Sequence, residues 1–287
     1  MQPNKVITHD LDAITQHIVN IPANDELELR VAVHDLQSCT TSFSKQIEST
    51  PEYHELLLSA CAEILTKNQE KLTVETLQSY RHKPYIRSLN ALLQDILPQT
   101  SEPQPGLCLD GLELQQCSIA HIGLPFSSLR FIDLSQSNVS HADLQNSDIY
   151  HANAVGCNFS HSNLSYCTLS KSDLSWADFS YARLYHITAV DMDMSNSILM
   201  HANLSHAILS GTHFHSATLN HTDLSSSNLF GADFHHCKLE ATDLRGTGIT
   251  PKRLQDAGME VFQTSHTLWG SDEDCGGRNP LAKEYYS

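Results

Sequence analysis

The most regular feature of the chain is a step of five. Apolar residues recur at Leu109, Leu114, Ile119, Leu124, Leu129, Leu134, Val139 and Leu144, and the series continues without a break to Leu244 and Ile249. Two places before each centre sits something small, as at Ala142, Ser147, Ala152, Cys157 and Ser162. Between the two lies Asp or Asn, as at Asp143, Asp148, Asn153, Asn158 and Asn163. Five is neither the period of an amphipathic helix nor that of a strand, so neither element explains the run. A fixed short repeat is the signature of a stacked, solenoid-like architecture.

Volume suggests how the fives are used. If four of them close one coil, the central residue points to the axis. The residue two before it also points inward, near a corner that admits only small side chains. The other three positions face water. Coils stacked at the strand spacing of ~4.8 Å would make a rod of about seven coils and ~34 Å. Residues twenty apart then lie above one another. This predicts aromatic ladders of Phe159 on Phe179 and of Phe214 on Phe234, and a leucine column from Leu124 through Leu144 and Leu164 to Leu244. Where the centre shrinks to Ala189, the partner grows to Ile187, which keeps the volume. Ala154 has only Ala152 beside it, so a local narrowing of the rod or a small void is expected there.

The segments HADLQ, HANLS, SNLFG and GADFH resemble the A(D/N)LXX repeat of pentapeptide-repeat proteins. The resemblance covers about residues 105–250. It implies a right-handed quadrilateral parallel β-helix and does not imply one function.

Residues 1–97 predict a separate α-helical domain, so the fold class expected is α+β multidomain. Leu11, Ile14, Ile18 and Ile21 share one helical face. Residues 25–38 are read as a helix despite a strand-like alternation at Leu27, Leu29, Val31 and Val33. The clearest helix starts at Thr50 as cap and Pro51 as first turn, with an apolar stripe of Leu56, Leu57, Ala60, Ile64 and Leu65. The helical pattern that follows breaks before Pro84. Residues 98–106 read as a linker, 107–249 as the β-helix, and 250–287 as a capping helix with a polar tail. In the capping helix Thr250 caps, Pro251 opens and Gly258 stops the helix. The helical domain can cover the first coil, since an open solenoid end needs a cap.

Composition changes this picture in three ways. The formal charge of −16 argues against direct nucleic-acid binding, which needs Lys and Arg at the phosphates, and permits a basic partner. Eight Cys without CxxC spacing, and no signal peptide, fit a reduced, cytoplasmic chain. No apolar run is long enough for a membrane span. The 18 His, against 17 Lys plus Arg, are the unusual count.

The His are ordered. His121, His141, His161, His201 and His221 fall at steps of twenty, with Tyr181 on the missing rung. An outward column of imidazoles is a weak metal candidate, because a usual site needs three or four converging ligands and no carboxylate shares the column. It is also a candidate pH sensor. An acidic row, Asp133, Asp173, Asp193 and Asp233, sits in another register, with Asn153 and His213 interposed. Trp269, before Asp272, Glu273 and Asp274, has the form of a docking anchor for a basic groove. Its alternative role is to fold back and plug the last coil. Cys117, Cys157, Cys167 and Cys237 occupy the small inward position and fill corners. Cys275 has acidic neighbours that dull a thiol. No phosphate loop, HExxH or GxSxG occurs.

The expectation is therefore a non-enzymatic protein with no cofactor and no catalytic residue, working through protein–protein contacts of the rod. The resemblance implies a bacterial source. Exported effectors of this family join a distinct N-terminal region to such a rod, which brings delivery into a host cell into view. Acidic rods of the quinolone-resistance type imply the alternative, a DNA mimic bound to gyrase or another topoisomerase. An enzyme or metal-binding protein is the third reading. The partner is a protein of unknown identity, and an open rod end also offers a homodimer contact.

Overall fold

A computed structural model of the chain describes residues 3–22, 25–43, 51–67, 72–99, 102–271, 273–274 and 281. The helices are α1 (Pro3–Asn20), α2 (Glu26–Phe43), α3 (Pro51–Thr66), α4 (Val74–Arg81), α5 (Pro84–Ile96) and α6 (Pro251–Asp256). In α2 the helical reading prevails over the alternation. Leu29, Val33 and Leu36 are buried on one face, while Leu27 and Val31 are exposed. The chain does break before Pro84, between Arg81 at the end of α4 and Pro84 at the first turn of α5. Thr50, read as the cap of α3, lies outside the described residues.

Beyond α5 the chain winds into coils joined by parallel bridges between residues twenty apart, from Cys108–Ser128 to Asp223–Asp243. Each side of a coil contributes one bridge residue. The ladder is thus made of isolated bridges rather than continuous strands. Four columns of bridge residues mark four faces. Face 1 carries Asp133, Asn153, Asp173, Asp193, His213 and Asp233; face 2 carries Asn138, Asn158, Asp178, Ile198, Thr218 and Lys238. Face 3 carries Asp143, Asn163, Arg183, Asn203, Asp223 and Asp243; face 4 carries Ser128, Asp148, Thr168, Thr188, Ile208 and Asn228.

The interior follows the volume argument. The leucine column is buried, Phe159 stacks on Phe179 at 5.0 Å, and Phe214 on Phe234 at 5.3 Å. Ala189 and Ile187 are both fully buried, as are Ala154 and, nearly so, Ala152. The small position tolerates hydroxyls and thiols because the carbonyl 23 residues earlier accepts from them. Ser147 Oγ donates to Leu124 O at 2.7 Å, Thr222 Oγ1 to Leu199 O at 2.6 Å, and Cys167 Sγ to Leu144 O at 2.9 Å. A buried polar atom so paired avoids the cost of an unmet hydrogen bond.

The helical layer closes the first coil. Arg81 donates from Nε to Gly111 O at 3.0 Å and from Nη2 to Phe131 O at 2.8 Å. Asn90 Oδ1 accepts from the Glu113 amide, and Gln94 Nε2 donates to Glu113 O. Gly111 has φ +73°, and a Cβ there would lie 2.9 Å from the Tyr80 ring, so the close approach of α4 depends on glycine. Helical and coil residues share one continuous apolar cluster. The segment read as linker takes part, because the amides of Gln104 and Gly106 already donate to Gly123 O and Pro125 O.

The far end departs more from expectation. Helix α6 forms as read, with Thr250 Oγ1 accepting from the Arg253 amide, Pro251 at its start and Gly258 at φ +72°. The segment after it, expected to be an irregular polar tail, instead extends the ladder. Phe262 bridges Lys238 and Leu268 bridges Asp243, at offsets of 24 and 25 because α6 is inserted. Thr267 Oγ1 donates to Leu239 O, which renews the inward-hydroxyl pattern. Backbone amides along this partial coil supply pairing that side-chain polarity did not disclose.

Candidate interaction surface

Outward chemistry is set by two local devices. The first is an Asx turn. Each Asp or Asn at a bridge position from 133 to 243 accepts, through its side-chain oxygen, the amide two residues on. Short polar side chains suit this turn because they reach their own backbone. The second device is a left-handed residue at every corner, two places after each centre. Corner residues such as Gln116, His121, His141, Tyr166, Trp176 and His201 have φ between 58° and 64°. His, Asn and Asp enter this region more readily than other side chains. The high His content follows largely from that preference.

Stacking orders these corner side chains. His121, His141, His161, Tyr181, His201 and His221 form one ladder at the corner of faces 2 and 3, with centroids 4.7–5.0 Å apart and planes within 13° of parallel. Parallel rings hold equivalent nitrogens about one centroid spacing apart. Two bonds of about 2.0–2.1 Å to one zinc ion cannot span that gap without rotating the rings. Among the described residues no group of three or more His, Cys, Asp or Glu is placed to hold a metal. A second, shorter ladder, Tyr166, His186 and His206, occupies the next corner at 5.0–5.2 Å. It is also at steps of twenty and was legible in the sequence by the same count.

The acidic row is a true column on face 1, but its members differ. Asp133 is buried and accepts from Gln115 Nε2 at 3.2 Å and Asn153 Nδ2 at 3.1 Å. Asp173 is exposed and accepts from Ser175 Oγ at 2.7 Å. Asp193 is half-buried and accepts the Ser195 amide at 2.8 Å. Asp233 meets His235 Nδ1 at 2.5 Å, and His235 Nε2 lies 3.2 Å from Gly258 O. Partial burial works against the charge of Asp233, but the His235 amide and ring together hold its carboxyl below the usual range.

The remaining readings divide. Cys157, Cys167 and Cys237 are buried, and desolvation pushes each thiol up, Cys167 to about 12. Cys117 is half-buried and also raised by burial. Cys275 lies outside the described residues. Trp269 is half-buried and packs against the core beside Leu268. Among the described residues, no helix is long and apolar enough to cross a membrane.

One group was not read as a site from the sequence. At Ile198 the bridge position carries no Asx, and Ile198 is 41 % exposed. Trp176, Tyr181 and Met200 around it are 66, 53 and 37 % exposed. The available signal was a break in the repeat's own polarity.

Family comparison agrees with the coil geometry. The family described as "Pentapeptide repeats" matches in eight copies, over stretches running from 127 to 246. The rod is a pentapeptide-repeat solenoid. Residues 127–246 therefore carry the repeats of the pentapeptide-repeat family, whose fold is a right-handed β-helix. It is similar to HetL, a pentapeptide repeat protein involved in heterocyst differentiation regulation in the cyanobacterium Nostoc sp. strain PCC 7120, at 18% identity over 57% of this chain and 87% of that one, with a TM-score of 0.25. A trypsin-treated form of QnrB1, a plasmid-mediated fluoroquinolone resistance protein, matches at 14% identity over 54% of this chain and 82% of that one, TM-score 0.41. A pentapeptide repeat protein of the Arabidopsis thaliana thylakoid lumen matches at 16% identity over 62% and 90%, TM-score 0.18. No curated protein matches the chain.

Proposed function

We propose that this pentapeptide-repeat protein is a non-enzymatic protein–protein interaction module, with the helical layer as a cap that leaves the four faces open. The supporting observation is how the reactive side chains are used. Inward thiols fill corners, bridge-position Asp and Asn serve turns, and corner His stack on one another. What remains is a rigid surface whose side chains repeat at a fixed rise, suited to recognition rather than to converging on a reacting atom. We extend the reading to a bacterial protein that works in the cytoplasm or, as an effector, inside a host cell. Immobilised whole protein, challenged with bacterial and eukaryotic lysates, tests it. Specific, saturable retention of a protein is expected, and none from either lysate would sink the reading.

The DNA-mimic alternative draws on the acidic column of face 1. Asn153 and His213 interrupt that column, Asp133 is buried and Asp233 is paired with His235. These features weaken an imitation of a continuous phosphate line. Inhibition of gyrase supercoiling by the whole protein, lost in Asp173→Asn/Asp193→Asn, would establish the alternative in place of the main reading. A homodimer through a rod end is a further option; sedimentation of the whole protein decides it.

A further inference from the structure

We propose that the apolar patch on face 2, built from Trp176, Tyr181, Ile198 and Met200, is the docking site, and that it takes a protein surface with an apolar centre and a Lys/Arg rim. This rests on the interaction reading and assigns it a place. The four side chains lie on neighbouring rungs. Ile198 bridges Asp178, the Tyr181 amide donates to Met200 O at 2.9 Å, and the Trp176 amide donates to Ser195 O at 2.9 Å. Trp176 stands at the corner of faces 1 and 2, Tyr181 at the corner of faces 2 and 3, and Ile198 and Met200 between them. The patch thus spans the full width of one face.

The sequence departs from its own repeat to make it. On face 2 the bridge positions above are Asn138, Asn158 and Asp178, each accepting a turn amide. Ile198 gives up that acceptor and exposes an aliphatic side chain. Scattered apolar side chains on a surface mean little, but Trp, Tyr and Met clustered on a rigid support are the residues that anchor interfaces.

Charge selects the occupant. Asp178 lies one rung above Ile198, and Asp173 and Asp193 flank Trp176 on face 1. Arg183 is two residues beyond Tyr181 and Lys171 two before Asp173, but Asp191 follows Lys171 one rung on, so four acids stand near the patch against two bases, with Lys238 two rungs below Ile198. With a chain charge of −16, a second copy would bring acid to acid. A partner rimmed with Lys or Arg matches the acidic flank. Face 4 makes the comparison, since Ile208 is 44 % exposed there but its bridge neighbours one rung above and below, Thr188 and Asn228, are uncharged.

The test places a photoreactive p-benzoylphenylalanine at position 180 on face 2, or at position 210 on face 4, in the whole protein. Cross-linked peptides from lysate are identified by mass spectrometry. A companion variant, Ile198→Asn/Trp176→Asn, restores residues that the turn and the left-handed corner favour, so the rod keeps its fold; circular dichroism checks this. Cross-links from position 180 to peptides with an apolar side chain near Lys or Arg, reduced roughly tenfold or more by the companion variant, support the proposal. Equal cross-linking from position 210, or retention unchanged by the companion variant, overturns face 2 as the site and leaves the interaction reading intact. Peptides rich in Asp and Glu, or from a second copy of this chain, overturn the assigned occupant. No retained protein at all removes the interaction reading and this inference with it.

Discussion

The imidazoles of His141 and His161 lie 4.8 Å apart at their centroids with planes 1° from parallel, and both residues have a φ near 58°. Stack and backbone are linked, because the same left-handed corner recurs at each rung and sets successive rings in the same orientation. The corner conformation therefore dictates which substitutions are accepted. His141→Asn keeps a side chain suited to this region, and its melting temperature should fall by only a few degrees. His141→Val puts a β-branched residue there and should cost about 1–3 kcal/mol. Thermal unfolding of the two variants side by side checks this, and equal losses would count against the backbone explanation.

Arg81 ties the helical layer to the first two coils through the carbonyls of Gly111 and Phe131. Arg81→Ala leaves both acceptors without that donor and should cost about 1–3 kcal/mol. Hydrogen exchange should rise across residues 104–131 and α4 while the middle coils stay protected. Uniformly faster exchange along the rod would mean that the cap is coupled to every coil.

Asp233 has a depressed carboxyl pKa in the folded chain, because the His235 amide and ring outweigh the cost of its partial burial. A depressed pKa makes the unfolded state the stronger proton binder. Its contribution is therefore fully present above the ordinary aspartate range and is lost as pH falls through the lower folded value. Asp233→Asn should lower the melting temperature at pH 6, and the gap from the parent should close towards pH 2.5. A gap of constant size across that range would show that ionisation of Asp233 does not support the junction with the α6 segment.

Thiol chemistry offers a separate check on the inward corners. Cys157, Cys167 and Cys237 are buried, and Cys167 and Cys237 also donate to Leu144 O and Phe214 O. Burial raises all three thiols, so little thiolate forms at neutral pH. Alkylation of native protein at pH 8, read by peptide mass spectrometry, should leave these three unmodified and label them fully after denaturation. Rapid native labelling at Cys167 would mean that the coils open there.

Much of the rod was readable because a strict repeat makes each residue's environment a function of its position in the five. The inward centres, the small corners, the Phe159–Phe179 stack and the His121–His221 ladder all follow from counting, since backbone ladders hold residues twenty apart at one fixed rise. Local signals likewise fixed α6, because Thr250, Pro251 and Gly258 act through their own backbones. Outside the repeat, pattern was a weaker guide. The alternation in α2 competed with its helix, and the polar residues 262–270 join the ladder through amides, which every sequence carries alike. Only the tertiary structure decided that Asp133 is buried while Asp173 is exposed, and that Arg81 reaches two coil carbonyls. Those relations depend on which corner turns beside which neighbour, and proximity across coils is a property of the closed winding rather than of any one five.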